Sequence, residues 1–169
     1  GENASWTVTW PAGTFEAGEY TSEMTIVATD AIGNAATTTA TIEIDTISEV
    51  SIATSTVADD GTINGAEQSV GVNLTGTAQA GSTVVVTFGT TTLAATVDAN
   101  GNWTVDFPPS AIATGEYDAT VTAVATDANG NSSTSTGTIQ VDTFVNEFGY
   151  TSTPGGADGV INASEVQAG

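Results

Sequence analysis

The chain is 169 residues long, with twenty Asp and Glu against no Lys, Arg, His or Cys, and a formal net charge of −20. No side chain can close a salt bridge, a disulfide or a Cys- or His-ligated zinc site, and nothing basic is present to bind nucleic-acid phosphates or an anionic membrane. Hydrophobic residues make up 39%, enough for packed cores, so the counter-charge for converging carboxylates is expected from outside, and hard, oxygen-binding calcium is the cation that fits.

Residues 1–45 begin inside an alternating apolar and polar stretch, "GENASWTVTW", with neither a signal peptide nor a transmembrane run, and the chain reads as cut from a longer one. "SWTVTWP" from Ser5 predicts a strand, "GEY" at 18–20 a corner, and the stretches flanking "VATDAIGN" at 27–34 two further strands that end at "TIEIDT". Trp6 is assigned to the core and Tyr20 to a tyrosine corner. These phrases return as "NWTVDFP", "GEY" at 115–117, "VATDANGN" at 124–131 and "TIQVDT", each at an offset of 97 residues. Tandem repetition is the organising feature. The connection "DTISEV" after Asp45 is too short and Gly-poor to be a flexible linker.

Residues 46–142 hold one complete period. Val, Thr and Ile alternate with polar residues and are punctuated by Gly, Asn and Asp, which predicts strands near 48–56, 69–77, 82–88, 92–97, 102–107, 117–126 and 134–142. Seven short strands of this kind predict an all-β, immunoglobulin-like Greek-key sandwich, repeated in tandem. Parity turns inward Val70, Val72 and Leu74; Val84, Val86 and Phe88; Trp103, Val105 and Phe107; Tyr117, Ala119, Val121 and Ala123; Ile139 and Val141. Residues 1–45 then supply the last three strands of one repeat. Residues 143–169 supply the first strand, the next loop and the start of the second strand of another.

Alternating strand directions sort the loops onto two poles. One pole gathers Asp59, Asp60, Asn64, Glu67, Glu116 and Asp142. There, "ADDGTINGAEQ" matches the second half of an EF-hand loop, with Thr56 and Ala58 standing where the first ligands belong. Asp60 and Glu67, joined across the pole by Glu116 or Asp142, are expected to form a calcium shell. Asn64 followed by Glu67 is equally a capping box for one helical turn, and both readings can hold together. Asp158 and Glu165 repeat Asp60 and Glu67, and Glu19 repeats Glu116.

The other pole gathers Gln79, Asp98, Asn100, Asn102, Asp127, Asn129 and Asn131, with Asp45 arriving from the preceding repeat. Asp45 with Asp127 is read as a junction calcium site. Asp98 with Asn100, and Asp30 as the counterpart of Asp127, are further candidates. Against these stands the reading of "TDANGN" and "DANGN" as Asn-Gly hairpin turns closed by the Asp side chain.

In this order, "GTAQAGSTVVVTF", "DANGNWTVDFP", "TGEYDATVTAVATDANGNSS", "TIQVDT" and "DGVINASE" resemble the bacterial immunoglobulin-like repeats of giant biofilm-associated and RTX-type adhesins, and the likeness runs the length of the chain. The resemblance implies an extracellular spacer on a bacterial cell surface, stiffened by calcium at or near its junctions and projecting adhesive modules that lie elsewhere. Its implied partners are neighbouring repeats and calcium. One position departs from the pattern: the family's loop often reads G-T-A-E-P-G with its Glu as a calcium ligand, and Gln79 stands there instead, offering a carbonyl oxygen without charge.

Catalysis is not expected, because a Ser or Thr nucleophile lacks a His or Lys base and no insertion builds a cleft around paired carboxylates. The rival readings are a carbohydrate- or ice-binding sandwich displaying Thr37, Thr38, Thr39 and Thr41, and a unit of a surface-layer or matrix fibre. Thr is also an ordinary filling of outward β positions.

Overall fold

The structure, a computed structural model, describes residues 5–145 together with Ala163 and Val166. Strands β1 (Glu19–Thr29) and β2 (Ala35–Asp45) form an antiparallel hairpin that is a sheet by itself, with Glu19 opposite Asp45 on its last rung. The expected strand at "SWTVTWP" is not formed. Trp6 lies 59% exposed, whereas its repeat counterpart Trp103 is 1% exposed beneath a second sheet. Among the described residues no such sheet covers the hairpin.

The complete period folds into a sandwich. One sheet has the order β4 (Thr62–Asn64), β11 (Ser132–Asp142), β10 (Glu116–Thr126), β6 (Thr83–Phe88), β7 (Thr91–Ala94). The other runs β3 (Val50–Ile52), β5 (Val72–Ala78), β9 (Asn102–Phe107), β8 (Thr96–Val97). The expected core is buried between them: Leu74, Val86, Val121, Ile139 and Val141 are all 0% exposed, and the rings of Phe88 and Phe107 meet at 5.7 Å.

Three further corrections concern the strands of the sandwich. The first expected strand is divided. β3 pairs with β5, a 3-10 segment Thr54–Asp59 then buries Val57, and β4 joins the opposite sheet parallel to β11. Ala58 and Asp59, at φ of 53° and 69°, make that break. The strand expected at 92–97 also changes sheets, β7 pairing with β6 and β8 with β9. Third, Val70 is 79% exposed, because residues 65–70 form a helical turn, α1 (Gly65–Val70), to which strand parity does not apply.

The seat of Trp103 depends on a glycine. A Cβ on Gly76 would sit 2.0 Å from the Ser51 carbonyl oxygen and 2.4 Å from Trp103 Cζ2. With that space open, the Trp103 indole lies across β5 and its Nε1 donates to the carbonyls of Ser51 at 3.0 Å and Thr77 at 3.2 Å. A large apolar side chain is thereby buried with its one polar group paired.

Candidate functional site at the repeat junction

Each strand-ending Asp is fixed by the motif around it. In "IDT", Thr46 bridges back to the corner, its N–H donating to Gly18 O at 3.1 Å and its Oγ1 accepting from Gly18 N at 2.8 Å. In "VDT", Thr143 does the same with Gly115, at 3.0 and 2.7 Å. These threonines had no role in the sequence reading, although the repeated "DT" was a visible signal. They hold Asp45 opposite Glu19, and Asp142 opposite Glu116, on the last rung. Like charges directly opposite repel, so both rungs call for a neutralising neighbour. The corner tyrosines sit where expected, with Tyr20 Oη donating to Glu16 O at 3.2 Å and Tyr117 Oη to Ala113 O at 2.9 Å.

The loop facing Asp45 is built by its own aspartate. Asp127 Oδ1 accepts the N–H groups of Asn129 and Asn131, both at 2.9 Å, and its Oδ2 accepts Asn131 Nδ2 at 2.8 Å. The turn is a three-residue loop, 128–130, with Gly130 in the left-handed region at φ 92°, rather than the expected two-residue Asn-Gly turn. The loops at Asp30 and Asp98 repeat this pattern. Burial pushes the Asp127 carboxyl up, but the hydrogen bonds from the Asn131 side chain and from the backbone of Asn131, Asn129 and Gly130 outweigh it and hold it below the ordinary 3.8. Asp30 and Asp98 are lowered too, chiefly by the side-chain amides of Asn34 and Asn102.

Across the junction, Asp45 is met by amides. Asn131 Nδ2 donates to Asp45 Oδ1 at 3.0 Å and Asn129 Nδ2 donates to Asp45 Oδ2. Gln79 Nε2 donates to Glu19, and the Gln79 N–H reaches the Glu49 carbonyl of the connection at 3.3 Å. Glu19, Asp45, Gln79 and Asp127, all named from the sequence, thus meet at one junction with Asn129 and Asn131. A hollow of about 540 Å³ beside them is lined by Glu19, Ser48, Gln79 and Ser133, and the Gln79 Oε1, Ser48 Oγ and Ser133 Oγ atoms are buried there without a hydrogen-bond partner.

The far pole is arranged differently. Asn64, Asp142 and Glu116 fall on one rung across β4, β11 and β10. Asn64 and Glu67, however, form the capping box of α1: Asn64 Oδ1 accepts from Ala66 N at 2.9 Å and Glu67 N at 3.1 Å, and Glu67 Oε2 accepts from Asn64 N at 2.9 Å. Asp60 Oδ1 accepts the Thr62 N–H at 2.8 Å, and Asp59 lines a shallow hollow with Glu67. Among the described residues no three acidic side chains converge as a metal site at either pole. Asn100 lies at the exposed tip of the Asp98 loop, and Asp158 and Glu165 lie outside the described residues. The four threonines of β2 do not make one row, since Thr38 shares the face of Ile42 and Ile44 while Thr37, Thr39 and Thr41 take the other.

Among the described residues, no helix is long and apolar enough to cross a membrane. No curated protein matches the chain. Three solved structures are each similar over 73% of this chain. One is described as "Ca2+-stabilized adhesin helps an Antarctic bacterium reach out and bind ice", at 29% identity and a TM-score of 0.44. Another is "Structural insight into host cell surface retention of a 1.5-MDa bacterial ice-binding adhesin", at 31% and 0.44. A third is "Crystal structure of tetra-tandem repeat in extending region of large adhesion protein", at 26% and 0.43. The chain spans 32%, 42% and 32% of those chains, in that order. Residues 47–143 match the family model described as bacterial Ig-like domain, and with the sandwich and its repeated motifs this places the chain in the bacterial Ig-like domain family.

Proposed function

We propose that the chain is a stretch of calcium-stiffened extender from a long bacterial surface adhesin, divided as 1–45, 46–142 and 143–169, with the first and last stretches parts of neighbouring repeats. It acts outside the cell by holding adhesive modules at a distance, and its own partners are adjacent repeats and calcium. The observation that carries this reading is the junction itself. Two acidic poles of successive repeats face each other through Asp45 and Asp127, joined by a connection of only residues 46–49.

The donor chemistry supports calcium: Asp45, Asp127 and Glu19 carry carboxylates close to the junction, and Gln79 Oε1 is a buried amide oxygen with no donor to it. Oxygen-only donors of mixed charge are what calcium accepts and what zinc or copper does not prefer. Bound there, the ion would supply the positive charge that a chain without Lys, Arg or His cannot. The chain's own residues fix the geometry. Thr46 anchors Asp45 to its corner, and the hydrogen bonds within 127–131 hold Asp127 in the facing loop.

Thermal melting tests this. One site at about 100 times its dissociation constant adds roughly 2.7 kcal/mol to the folded state. Millimolar calcium is therefore expected to raise the melting temperature, and sodium at matched ionic strength is not. Equal melting in calcium and in EDTA would remove the metal from the account.

A further inference from the structure

Loops 30–34 and 127–131 are one arrangement built twice. In the first, Asp30 Oδ1 accepts Ile32 N at 3.0 Å and Asn34 N at 2.8 Å, and Asp30 Oδ2 accepts Asn34 Nδ2 at 2.8 Å. The second repeats these bonds with Asp127, Asn129 and Asn131 to within 0.1 Å. The loops differ at their middle position, where Ile32 stands 86% exposed and Asn129 carries an amide. Since the turn closes equally well around Ile32, the fold does not require that amide. Asn129 uses it across the junction, on Asp45 Oδ2, while Asn131 takes Asp45 Oδ1. Both oxygens of the strand-ending carboxylate are therefore held by amides of the next repeat, in a chain with no cation of its own.

We propose that Asn129 is a junction-specifying residue: with Asn131 it forms a metal-independent amide clamp on the last carboxylate of the preceding repeat, and a repeat with Ile in this place joins its predecessor without the clamp. Junction order is then set repeat by repeat, through one side chain to which the loop's own fold is indifferent. The inference rests on the tandem-array reading but not on calcium, and its test is run in EDTA so that its failure would leave the calcium reading standing.

The chain has no cysteine, so Thr37→Cys on β2 and Thr120→Cys on β10, both exposed, provide one pair of spin labels. Removing a charge-assisted hydrogen bond is expected to lower the docked-to-undocked ratio roughly tenfold or more. The full chain should give one narrow distance distribution in EDTA. Asn129→Ile and Asn129→Ala should each broaden it while leaving the melting of the sandwich unchanged, and Ile32→Asn, at the other end of the hairpin, should leave it as it was. An unchanged distribution in the Asn129 variants overturns the proposal. So does a parent distribution already broad in EDTA, because the clamp would then hold nothing, and so does broadening that comes only with loss of the sandwich.

Discussion

Asp45 and Asp127 come from successive repeats and bind the same amide, Asn131 Nδ2, at 3.0 and 2.8 Å. Neither carboxylate has a protein cation to pair with, so an amide is the best the chain itself can offer. Asp45→Ala is expected to flatten the calcium dependence of melting, whereas Asp118→Asn, on an exposed position of β10, should leave it intact. Equal calcium responses in the two variants would count against the junction.

A different result is expected at the far pole. Asn64 and Glu67 spend their acceptors on the end of α1, so Asn64→Ala should cost about 1 kcal/mol as the loss of an N-cap. Urea unfolding should give the same loss in calcium and in EDTA. A cost that vanishes in EDTA would favour the calcium reading of this loop over the cap alone.

Two glycines separate crowding from conformation. Gly130 has φ 92° and open space around it, so Gly130→Ala carries only the strain of a left-handed residue, about 1 to 2 kcal/mol. Gly76→Ala must force a Cβ against the Ser51 carbonyl and the Trp103 ring, and overpacking of that kind costs about 3 kcal/mol or more. Comparable unfolding midpoints for the two variants would mean that β5 and β9 do not pack as described.

Acid reports on the loop carboxylates. Asp30, Asp98 and Asp127 sit below their ordinary 3.8 in the folded chain, so the unfolded chain takes up protons first as pH falls. Their contribution is full above pH 3.8 and is lost as pH drops below it through the folded values. The melting-temperature gap between the parent and Asp98→Asn should hold steady above that pH and close beneath it. A gap that persists into strong acid would mean that Asp98 does not act through its charge.

Alternation along 72–88 and 102–126 made the sandwich legible, because a one-residue slip there would turn Val86 or Val121 to solvent. The sequence hid the places where a local interaction competes with that alternation. Val70 follows strand parity on paper, but the Asn64 cap commits it to a helical turn. The 92–97 stretch looks continuous, yet its two halves find partners in different sheets. At the junction the acidic pair Asp45 and Asp127 followed from strand direction and repeat order. The roles of Thr46 and Asn129 did not, because a Thr that ties off a corner and an Asn that reaches across a junction look the same in one sequence as surface filling.

The stiffness of the junction is the central claim, and small-angle scattering from an array of four copies of residues 46–142 tests it most directly. With calcium, the account predicts a rod whose maximum dimension grows linearly from two copies to four. In EDTA the amide clamp alone holds each junction, and the account predicts a shorter maximum dimension as the small undocked fraction accumulates over three junctions, while circular dichroism reports that the sandwiches keep their strands. Identical scattering profiles in calcium and in EDTA, from sandwiches that remain folded, would contradict the mechanical role assigned to calcium between Asp127 and the strand-ending aspartate of the preceding repeat, which in these copies is Asp142, the counterpart of Asp45.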